Sequence, residues 1–207
     1  MNDSLIIIGA SGHGKVVADI AMKMNRWERI VFLDDDISIK KLIGLDVVGT
    51  TIEAIKYKDK ADFFVAIGNN EIRKKVQEIF IAQGLNIVTL VHPNAVIGTD
   101  VEIGIGTVIM AGVVINSSTR IGNGCIINTG SSVDHDNEIK DYVHLSPGAR
   151  TAGNVTVDHT TWLGIGSVVS NNIYICEKCR IGSGAVVINR ITESGTYTGV
   201  PARRIGK

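Results

Sequence analysis

The fold is decided by residues 91–187, whose middle part, residues 121–145, reads IGNGCIINTGSSVDHDNEIKDYVHL. An aliphatic residue returns at every sixth position of this stretch, with Thr151 as the exception. The positions are Val91, Ile97, Ile103, Ile109, Ile115, Ile121, Ile127, Val133, Ile139, Leu145, Thr151, Val157, Leu163, Val169, Ile175, Ile181 and Val187. Four places after each of them the chain usually carries a small or β-branched residue, such as Val113 or Cys125. A period of six fits neither an amphipathic helix nor an alternating strand.

A six-residue period is typical of a hexapeptide β-solenoid, in which each unit places its aliphatic residue in a continuous core. Stacked units bury together what one unit cannot bury alone. With three units per turn, the stretch predicts roughly five coils, more than the about three repeats that such an array needs. A β-sandwich of many short strands is the alternative. Its loops would shift the phase of the pattern, and no shift occurs over this stretch.

Residues 1–90 follow a different pattern, in which short apolar runs alternate with segments of helical periodicity. The predicted strands are Leu5–Ile8, Ile30–Leu33, about Asp46–Val48, Phe63–Ile67 and Asn86–Leu90. One helix is predicted through Val16 and Met24, and a second from Glu71 to about Gln83, with Asn70 as its N-cap. The apolar stripe of the second helix would be Ile72, Val76, Ile79 and Phe80. This alternation predicts a small parallel sheet of the Rossmann-like α/β kind, so we expect an α/β domain over 1–90 and a solenoid domain over 91–207.

Composition excludes several classes of function. The chain has 21 Lys and Arg against 21 Asp and Glu, which gives no electrostatic case for binding nucleic acid or an acidic membrane. The first apolar run, Leu5–Ile8, is too short for a signal peptide or a membrane span, so a cytoplasmic protein is expected. Cys176 and Cys179 have the spacing of half a zinc site, but no second Cys or His pair accompanies them. We therefore expect no metal.

The first strand-to-helix turn, Gly9-Ala-Ser-Gly-His-Gly14, lies where open α/β sheets bind ligands. Glycines let backbone N–H groups approach phosphate oxygens, and the helix N-terminus behind them favours negative charge. The spacing is not G-x-G-x-x-G, which argues against a nicotinamide dinucleotide. Asp34, Asp35 and Asp36 follow the second strand and could accept hydrogen bonds from a ribose or a base. A turn made by glycine for steric reasons and a solvated acidic loop are the alternatives.

Within the solenoid, polar residues are most concentrated between Asn128 and His144. His135 lies two places past the aliphatic Val133, away from the core, with a carboxylate on either side. A carboxylate that fixes the tautomer of a neutral imidazole and raises its basicity makes a general base. The alternative is a surface histidine on a polar rim, since His159 also has an aspartate beside it.

Over essentially its whole length the chain resembles the hexapeptide-repeat acyltransferases that N-acetylate nucleotide-linked 4-amino-6-deoxy sugars, of the bacillosamine-pathway type, and the related sialic acid O-acetyltransferases. The motifs that carry the resemblance are Gly9-Ala-Ser-Gly-His-Gly14, Phe32-Leu-Asp-Asp35, Ala66-Ile-Gly-Asn-Asn-Glu-Ile-Arg-Lys-Lys75, Val133-Asp-His-Asp136, Ala152-Gly-Asn-Val155 and Gly199-Val-Pro-Ala-Arg203. Their order and separation match as well. The resemblance implies a homotrimer of left-handed parallel β-helices, with acetyl-CoA in a groove between neighbouring helices and active sites shared by two subunits.

The same resemblance implies a role for individual residues. His135 would be the general base and Asp136 the acidic neighbour that raises its basicity. The nucleotide-sugar substrate would contact Ser11, Gly12, His13, Asp34, Asp35, Gly68 and Asn128. Acetyl-CoA would contact His144, Gly153, Ile165 and Ser183, the last of which stands where the family has a glycine.

Three functions follow as hypotheses. The first is an enzyme that transfers acetyl from acetyl-CoA to the 4-amino group of a nucleotide-linked sugar, for a bacterial surface glycan or glycoprotein. The second is an O-acetyltransferase acting on a sialic acid or another sugar hydroxyl, which has no need of a nucleotide pocket. The third is a non-enzymatic solenoid that serves as a scaffold or sensor, for which the polar cluster around His135 has no use.

Overall fold

The N-terminal part of the chain is built on a parallel sheet of strand order β2-β1-β5. In the computed structural model, which describes residues 2–206, its elements are β1 (Ser4–Ile8), α1 (Gly12–Met24), β2 (Arg29–Leu33), β3 (Lys41–Leu42), β4 (Leu45–Asp46), a 3₁₀ helix (Thr51–Tyr57), β5 (Asp62–Val65), α2 (Asn70–Ala82) and β6 (Leu90–Val91). β1 and β5 read as continuous apolar runs because both of their faces are covered. The chain divides into two units, Met1–Pro93 and Asn94–Lys207.

Two of the predicted strands are smaller than expected. The segment predicted as a strand over 86–90 makes only an isolated bridge between Ile87 and Phe63, followed by the two residues of β6. β4 pairs with β3 in an antiparallel hairpin, and the parallel contact with β2 is reduced to a bridge between Val47 and Phe32. The regular sheet therefore keeps the three strands that carry the longest apolar runs.

The prediction for α2 was wrong in its cap and in half of its buried face, since Val76 and Phe80 do pack on the core. Asn69 is the N-cap, because its side chain accepts a hydrogen bond from the backbone N–H of Ile72 at 3.0 Å. The helix buries a mostly polar side, consisting of Asn70, Arg73, Gln77 and Phe80. Ile72 and Ile79, expected in the core, are 52% and 44% exposed. Either face of α2 is compatible with helical periodicity. The hydrogen bonds of the buried Arg73 determine which face packs against the rest of the domain.

The six-residue pattern forms the solenoid as predicted. Its short strands are β7 (Val96–Ile97), β8 (Glu102–Ile103), β9 (Val108–Ile109), β10 (Val114–Ile115), β11 (Arg120–Ile121), β12 (Ile126–Ile127), β13 (Ser132–Val133), β14 (Glu138–Ile139), β15 (His144–Leu145), β16 (Arg150–Thr151), β17 (Thr156–Val157), β18 (Trp162–Leu163), β19 (Val168–Val169), β20 (Tyr174–Ile175), β21 (Arg180–Ile181) and β22 (Val186–Val187). Each pairs in parallel with the strand one coil away, so that Val114 faces Ser132 across 18 residues. From Ile109 to Val187 the sixth-position residues are all buried.

The turns between these strands repeat with the same period. A positive φ recurs at every sixth residue from Asp100 to Gly184, for example +58° at Asp136 and +63° at Gly166. Glycine, Asn and Asp adopt this conformation more readily than other residues, and they occupy most of these positions. After β22 the chain ends in an antiparallel pair, β23 (Thr196–Thr198) and β24 (Arg203–Ile205), with β23 added beside β21. The predicted architecture, a small parallel sheet followed by a parallel β-helix, is confirmed.

Candidate active site

His135 lies on the turn after β13, with its side chain 60% exposed. Its Nδ1 is 2.7 Å from Oδ2 of Asp136. A carboxylate accepts hydrogen bonds, so this contact assigns the proton to Nδ1 and leaves the lone pair on Nε2. Asp134 holds the turn from the other side, because its Oδ1 accepts the backbone N–H of His135 at 2.8 Å and the side-chain amide of Asn116 at 2.7 Å.

The surroundings of His135 make it a stronger base than an ordinary histidine. The hydrogen bond to Asp136 raises its pKa above the usual 6.5, the charges of Asp134 and Asp136 add to the effect, and partial desolvation opposes it. An exposed Nε2 with raised basicity can take a proton from a bound nucleophile. A role of His135 as general base stays a prediction, and its geometry is the one that such a role requires.

Asn137 supports this turn and was not singled out in the sequence. It is 1% exposed. Its amide Nδ2 lies 2.8 Å from the carbonyl oxygen of Asp134, 3.1 Å from that of His135 and 2.8 Å from that of Ala152. The signal was present, because Asn137 stands four places after Val133, where neighbouring units carry a small or β-branched residue. One side chain thus fixes the backbone of His135 and of the adjacent coil.

Gly153 occupies the same turn position as His135, one coil further along. A Cβ at Gly153 would lie 2.6 Å from both Cε1 and Nε2 of His135, well inside van der Waals contact. The imidazole of His135 therefore rests on the bare backbone of Gly153. The structure places this residue, expected at acetyl-CoA, directly beside the candidate base.

A separate groove of about 390 Å³ contains three of the other residues expected at acetyl-CoA: His144, Ile165 and Ser183. The rest of its lining is Ser146, Pro147, Trp162, Gly164, Arg180, Ile181 and Gly182. The groove is mostly apolar, which suits a long flexible arm. His135, Asp136 and Gly153 do not line it, so a single chain does not bring the candidate base to this groove.

The orientation of the Asn128 side chain indicates which ring nitrogen of His144 carries a proton. Its Oδ1 accepts the backbone N–H of Thr129 at 2.8 Å, so its Nδ2 is the atom that lies 3.2 Å from Nε2 of His144. An amide nitrogen only donates, and therefore Nε2 of His144 accepts and its proton is on Nδ1. Trp162 stacks on the imidazole with ring centroids 4.9 Å apart. His144 thus lies between the amide of Asn128 and the ring of Trp162.

Two backbone donors face the same groove. Within residues 2–206 the N–H groups of Ile165 and Ser183 donate to no protein acceptor. Gly164 lets these turns stack closely, because a Cβ there would lie 2.7 Å from the backbone nitrogen of Ser183. Free N–H groups spaced by one coil can bind the amide carbonyls of an extended ligand.

The N-terminal unit has a cavity of about 240 Å³ at the carboxyl ends of β1, β2 and β5. It is lined by Ile8, Gly9, Ser11, Asp34, Asp35, Thr51, Ala66, Ile67 and Gly68. Four of the expected substrate contacts, Ser11, Asp34, Asp35 and Gly68, therefore come together there, whereas Gly12 and His13 do not line the cavity. This is the edge of the sheet at which ligands of open α/β folds bind.

The two aspartates of this cavity differ in what their oxygens already bind. Asp34 accepts the backbone N–H of Ala10 at 2.5 Å and that of Asp36 at 2.8 Å, which ties the glycine-rich loop to the end of β2. Asp35 is exposed and uses Oδ1 for the N–H of Thr51 at 2.9 Å. Asp35 thus keeps a carboxylate oxygen for a ligand, and Asp34 mainly shapes the loop.

His13 and Arg73 lie close together behind the glycine-rich loop. The Nε2 atom of His13 is buried and has no hydrogen-bond partner among residues 2–206. Burial lowers the pKa of His13 to about 4, and the charge of Arg73 adds to this. The fully buried Arg73 donates to the carbonyls of Ile67 at 2.9 Å and Gly68 at 3.1 Å, both of which line the cavity. His13 is therefore neutral at pH 7, and Arg73 fixes one wall of the cavity.

Over residues 2–206 no group of three or more His, Cys, Asp or Glu side chains could hold a metal ion. Cys176 and Cys179 are buried free thiols whose Sγ atoms lie 3.5 Å apart. In the same part of the chain, no helix has the length and apolar character needed to cross a membrane.

Residues 4–80 match the family described as the PglD N-terminal domain. Over 107 residues, 49% of the chain, the sequence is 33% identical to GDP-perosamine N-acetyltransferase of Escherichia coli O157:H7. Over 110 residues, 51% of the chain, it is 37% identical to UDP-N-acetylbacillosamine N-acetyltransferase of Bacillus subtilis strain 168. These matches span 48% and 50% of the two relatives, about half of their length.

A solved structure is similar over the full length. It is the acetyltransferase domain of PglB from Neisseria gonorrhoeae FA1090 in complex with acetyl coenzyme A, with 35% sequence identity and a TM-score of 0.96. The similarity covers 99% of this chain and 100% of that one. It confirms both the fold and the resemblance found in the sequence motifs. The chain belongs to the family of hexapeptide-repeat nucleotide-sugar N-acetyltransferases.

Proposed function

We propose that this protein transfers the acetyl group of acetyl-CoA to the 4-amino group of a nucleotide-linked 4-amino-6-deoxy sugar. The observation that carries the proposal is the His135–Asp136 pair, an exposed imidazole whose pKa is raised by the adjacent carboxylate, on the surface of a family-type solenoid. The relatives named for perosamine and bacillosamine N-acetylation support an amine rather than a hydroxyl as the acceptor. The acetyl-CoA complex of the similar PglB domain supports the donor.

Substrate binding and acetyl transfer are assigned to the two parts of the chain that the two sequence patterns define. Residues 1–90 hold the nucleotide sugar, with Ser11, Asp35 and Gly68 lining the cavity and Asp34 shaping its loop. Residues 91–207 hold acetyl-CoA in the groove of His144, Ile165 and Ser183 and carry out the transfer. The relatives use GDP-linked and UDP-linked sugars, so the cavity belongs to a family that accepts more than one nucleotide.

The reaction needs one base and no covalent intermediate. The neutral amine attacks the thioester carbonyl, forming the C–N bond, while Nε2 of His135 takes the proton that the nitrogen loses. Asp136 stabilises the imidazolium through the Nδ1–H hydrogen bond. The C–S bond then breaks, and the thiolate of coenzyme A leaves with that proton. A backbone N–H group close to the thioester would stabilise the negative charge on the carbonyl oxygen.

We infer that the working unit is a homotrimer with its active sites between subunits. The support is that His135 and Gly153 lie together in one chain while His144, Ile165 and Ser183 line a different surface of it. A neighbouring copy would supply the missing half of each site. We also propose a cytoplasmic location, since acetyl-CoA and nucleotide-activated sugars are cytoplasmic metabolites.

Mass spectrometry tests the proposed activity. Acetyl-CoA and the enzyme are incubated with UDP-, dTDP- and GDP-linked 4-amino-6-deoxy sugars, and in parallel with free sialic acid. We expect the mass of one acetyl group to be added to at least one nucleotide sugar and not to sialic acid. Acetylation of free sialic acid alone would establish the O-acetyltransferase hypothesis instead, and no transfer to any acceptor would favour a scaffold.

A further inference from the structure

A column of stacked side chains runs along the solenoid groove, through His144, Trp162 and Arg180 at equivalent positions of three successive coils. The rings of His144 and Trp162 are nearly parallel, at 21°. The Cζ atom of Arg180 lies 4.7 Å from the ring centroid of Trp162. The indole N–H of Trp162 donates to Oγ of Ser146 at 2.6 Å, which fixes the ring in its plane. A guanidinium over a fixed indole is itself restricted in orientation.

Arg180 is the single permanently charged side chain among the described residues that line the groove. Three arginines of the described chain pair with carboxylates, Arg26 with Asp62, Arg120 with Glu102 and Arg204 with Glu193. Across residues 2–206 no ion pair includes Arg180, and its guanidinium donates to no protein acceptor. The groove therefore presents one oriented cation with its N–H donors unused.

We propose that Arg180 binds a phosphate group of coenzyme A and that Trp162 is the positioning residue that holds the guanidinium at the groove. This inference rests on the proposed function, since it concerns the acetyl donor of that reaction. The planar guanidinium can give two parallel N–H hydrogen bonds to phosphate, which makes arginine well suited to this group.

The position of Arg180 fits the shape of the cofactor. It lies two coils from His144, which is about 10 Å at the spacing of neighbouring strands. The groove there has apolar walls, and the free N–H groups of Ile165 and Ser183 belong to the coils of Trp162 and Arg180. The pantetheine arm is apolar apart from its amides, and its phosphates follow at one end. Its phosphates would then reach the end of the groove at which Arg180 lies.

Arg190 provides a matched control. Its Cζ atom also lies 4.7 Å from an aromatic ring centroid, that of Tyr174, but neither residue lines the groove. Arg190→Met removes a stacked surface arginine of the same kind from a different face of the solenoid. A change in general charge or stability should therefore affect both variants alike, whereas loss of a phosphate contact should affect Arg180→Met alone.

Calorimetric titration of the full chain with coenzyme A tests the proposal. We expect Arg180→Met to weaken binding by about tenfold to a hundredfold, as for the loss of a charged hydrogen bond, and Arg190→Met to bind like the wild type. Arg180→Lys, which keeps the charge but not the paired donors, should fall between them. Trp162→Leu should weaken binding as well, while Trp162→Phe, which keeps an aromatic face, should recover most of it.

Dephospho-coenzyme A distinguishes the two sources of phosphate. If Arg180→Met weakens binding of both ligands, Arg180 contacts the diphosphate. If the wild type binds dephospho-coenzyme A as weakly as Arg180→Met binds coenzyme A, the contact is to the 3′-phosphate. Equal affinity of the wild type and Arg180→Met for coenzyme A overturns the inference and leaves the proposed function intact. A wild type that binds no coenzyme A overturns both.

Discussion

Oδ2 of Asp136 lies 2.7 Å from Nδ1 of His135, so the two halves of the candidate base are adjacent residues of one solenoid turn. Asp136 has a φ of +58° and belongs to the series of left-handed positions that recurs every six residues. Asp and Asn are the residues that adopt this conformation most readily after glycine. The turn therefore favours the same residue type that the chemistry needs beside the imidazole.

Replacing Asp136 by Asn should lower the pH at which activity rises. His135 accepts a proton only when neutral, and its hydrogen bond to Asp136 holds the pKa of the imidazole above 6.5. Activity should thus rise with pH through a value above 6.5 in the wild type. An amide does not stabilise the imidazolium, so the acidic limb of kcat/KM should move downward in Asp136→Asn. The measurement is kcat/KM from about pH 5 to about pH 9. An unmoved limb would show that another group titrates.

His135→Ala should lower kcat by about a hundredfold or more, as expected for loss of a general base. His159 is the matched control, since its ring nitrogens lie 3.8 Å from Asp141 and 3.6 Å from Asp158 and its side chain is partly exposed. His159→Ala should leave kcat within about threefold of the wild type, a limit far below the loss expected for a base. A similar small effect at His135 would remove it from the mechanism.

Asn137→Ala should reduce both stability and turnover, because it removes the amide that the carbonyls of Asp134, His135 and Ala152 share. The first two keep a second donor, Oγ1 of Thr119 and the N–H of Asn154, so the carbonyl of Ala152 is the acceptor left unsatisfied. Unsatisfied buried acceptors cost about 1–3 kcal/mol of unfolding free energy. The turn of His135 then loses its support, and kcat should fall while the KM for acetyl-CoA stays unchanged. Thr161→Val removes a comparable buried hydrogen bond, from Oγ1 to the carbonyl of Cys176 at 2.9 Å. If both variants lost turnover in proportion to stability, Asn137 would be structural only.

Gly153→Ala should displace the imidazole of His135 with little change in stability. The new Cβ would lie 2.6 Å from the ring, and the exposed side chain of His135 can swing away. We expect kcat to fall by about tenfold or more, since small displacements of a catalytic group are costly. In the background of His135→Ala the same substitution should have no further effect on kcat. Additive losses would instead place Gly153 in a contact of its own.

The solenoid and the outward position of its candidate base could be predicted from the sequence because both follow from local spacing. A residue on the six-residue pattern, such as Val133, faces the core whatever its neighbours are, and His135 two places later faces outward for the same reason. The turn residues obey the same period. Where every unit repeats its neighbour, spacing along the chain is sufficient to place a side chain.

The features that could not be predicted depend on individual side-chain contacts that no sequence period encodes. The buried face of α2 is set by Arg73, whose carbonyl acceptors belong to the loop after β5, and no apolar pattern encodes them. The stacking of Arg180 on Trp162 joins residues 18 positions apart in the register of two coils. Asn137 was the one such case with a visible signal, as a polar residue at a position otherwise small or β-branched.

His13 predicts a loss of stability on mild acidification. Its pKa is about 4 in the folded protein, against 6.5 for an ordinary histidine, because of burial and the charge of Arg73. Between these values the unfolded chain binds a proton that the folded chain does not. The contribution of His13 to unfolding free energy is therefore complete above about pH 6.5 and is lost as the pH falls toward 4, by about 3 kcal/mol at most.

Urea unfolding at intervals between these pH values measures this contribution when the wild type is compared with His13→Gln, whose side chain stays neutral. Other groups titrate in both proteins, so the difference between the two curves isolates His13. We expect the wild type to lose more stability than the variant as the pH falls. Parallel curves would mean that His13 is protonated in the folded protein as readily as in the unfolded chain. The buried Nε2 atom would then need a hydrogen-bond partner that the structure does not show.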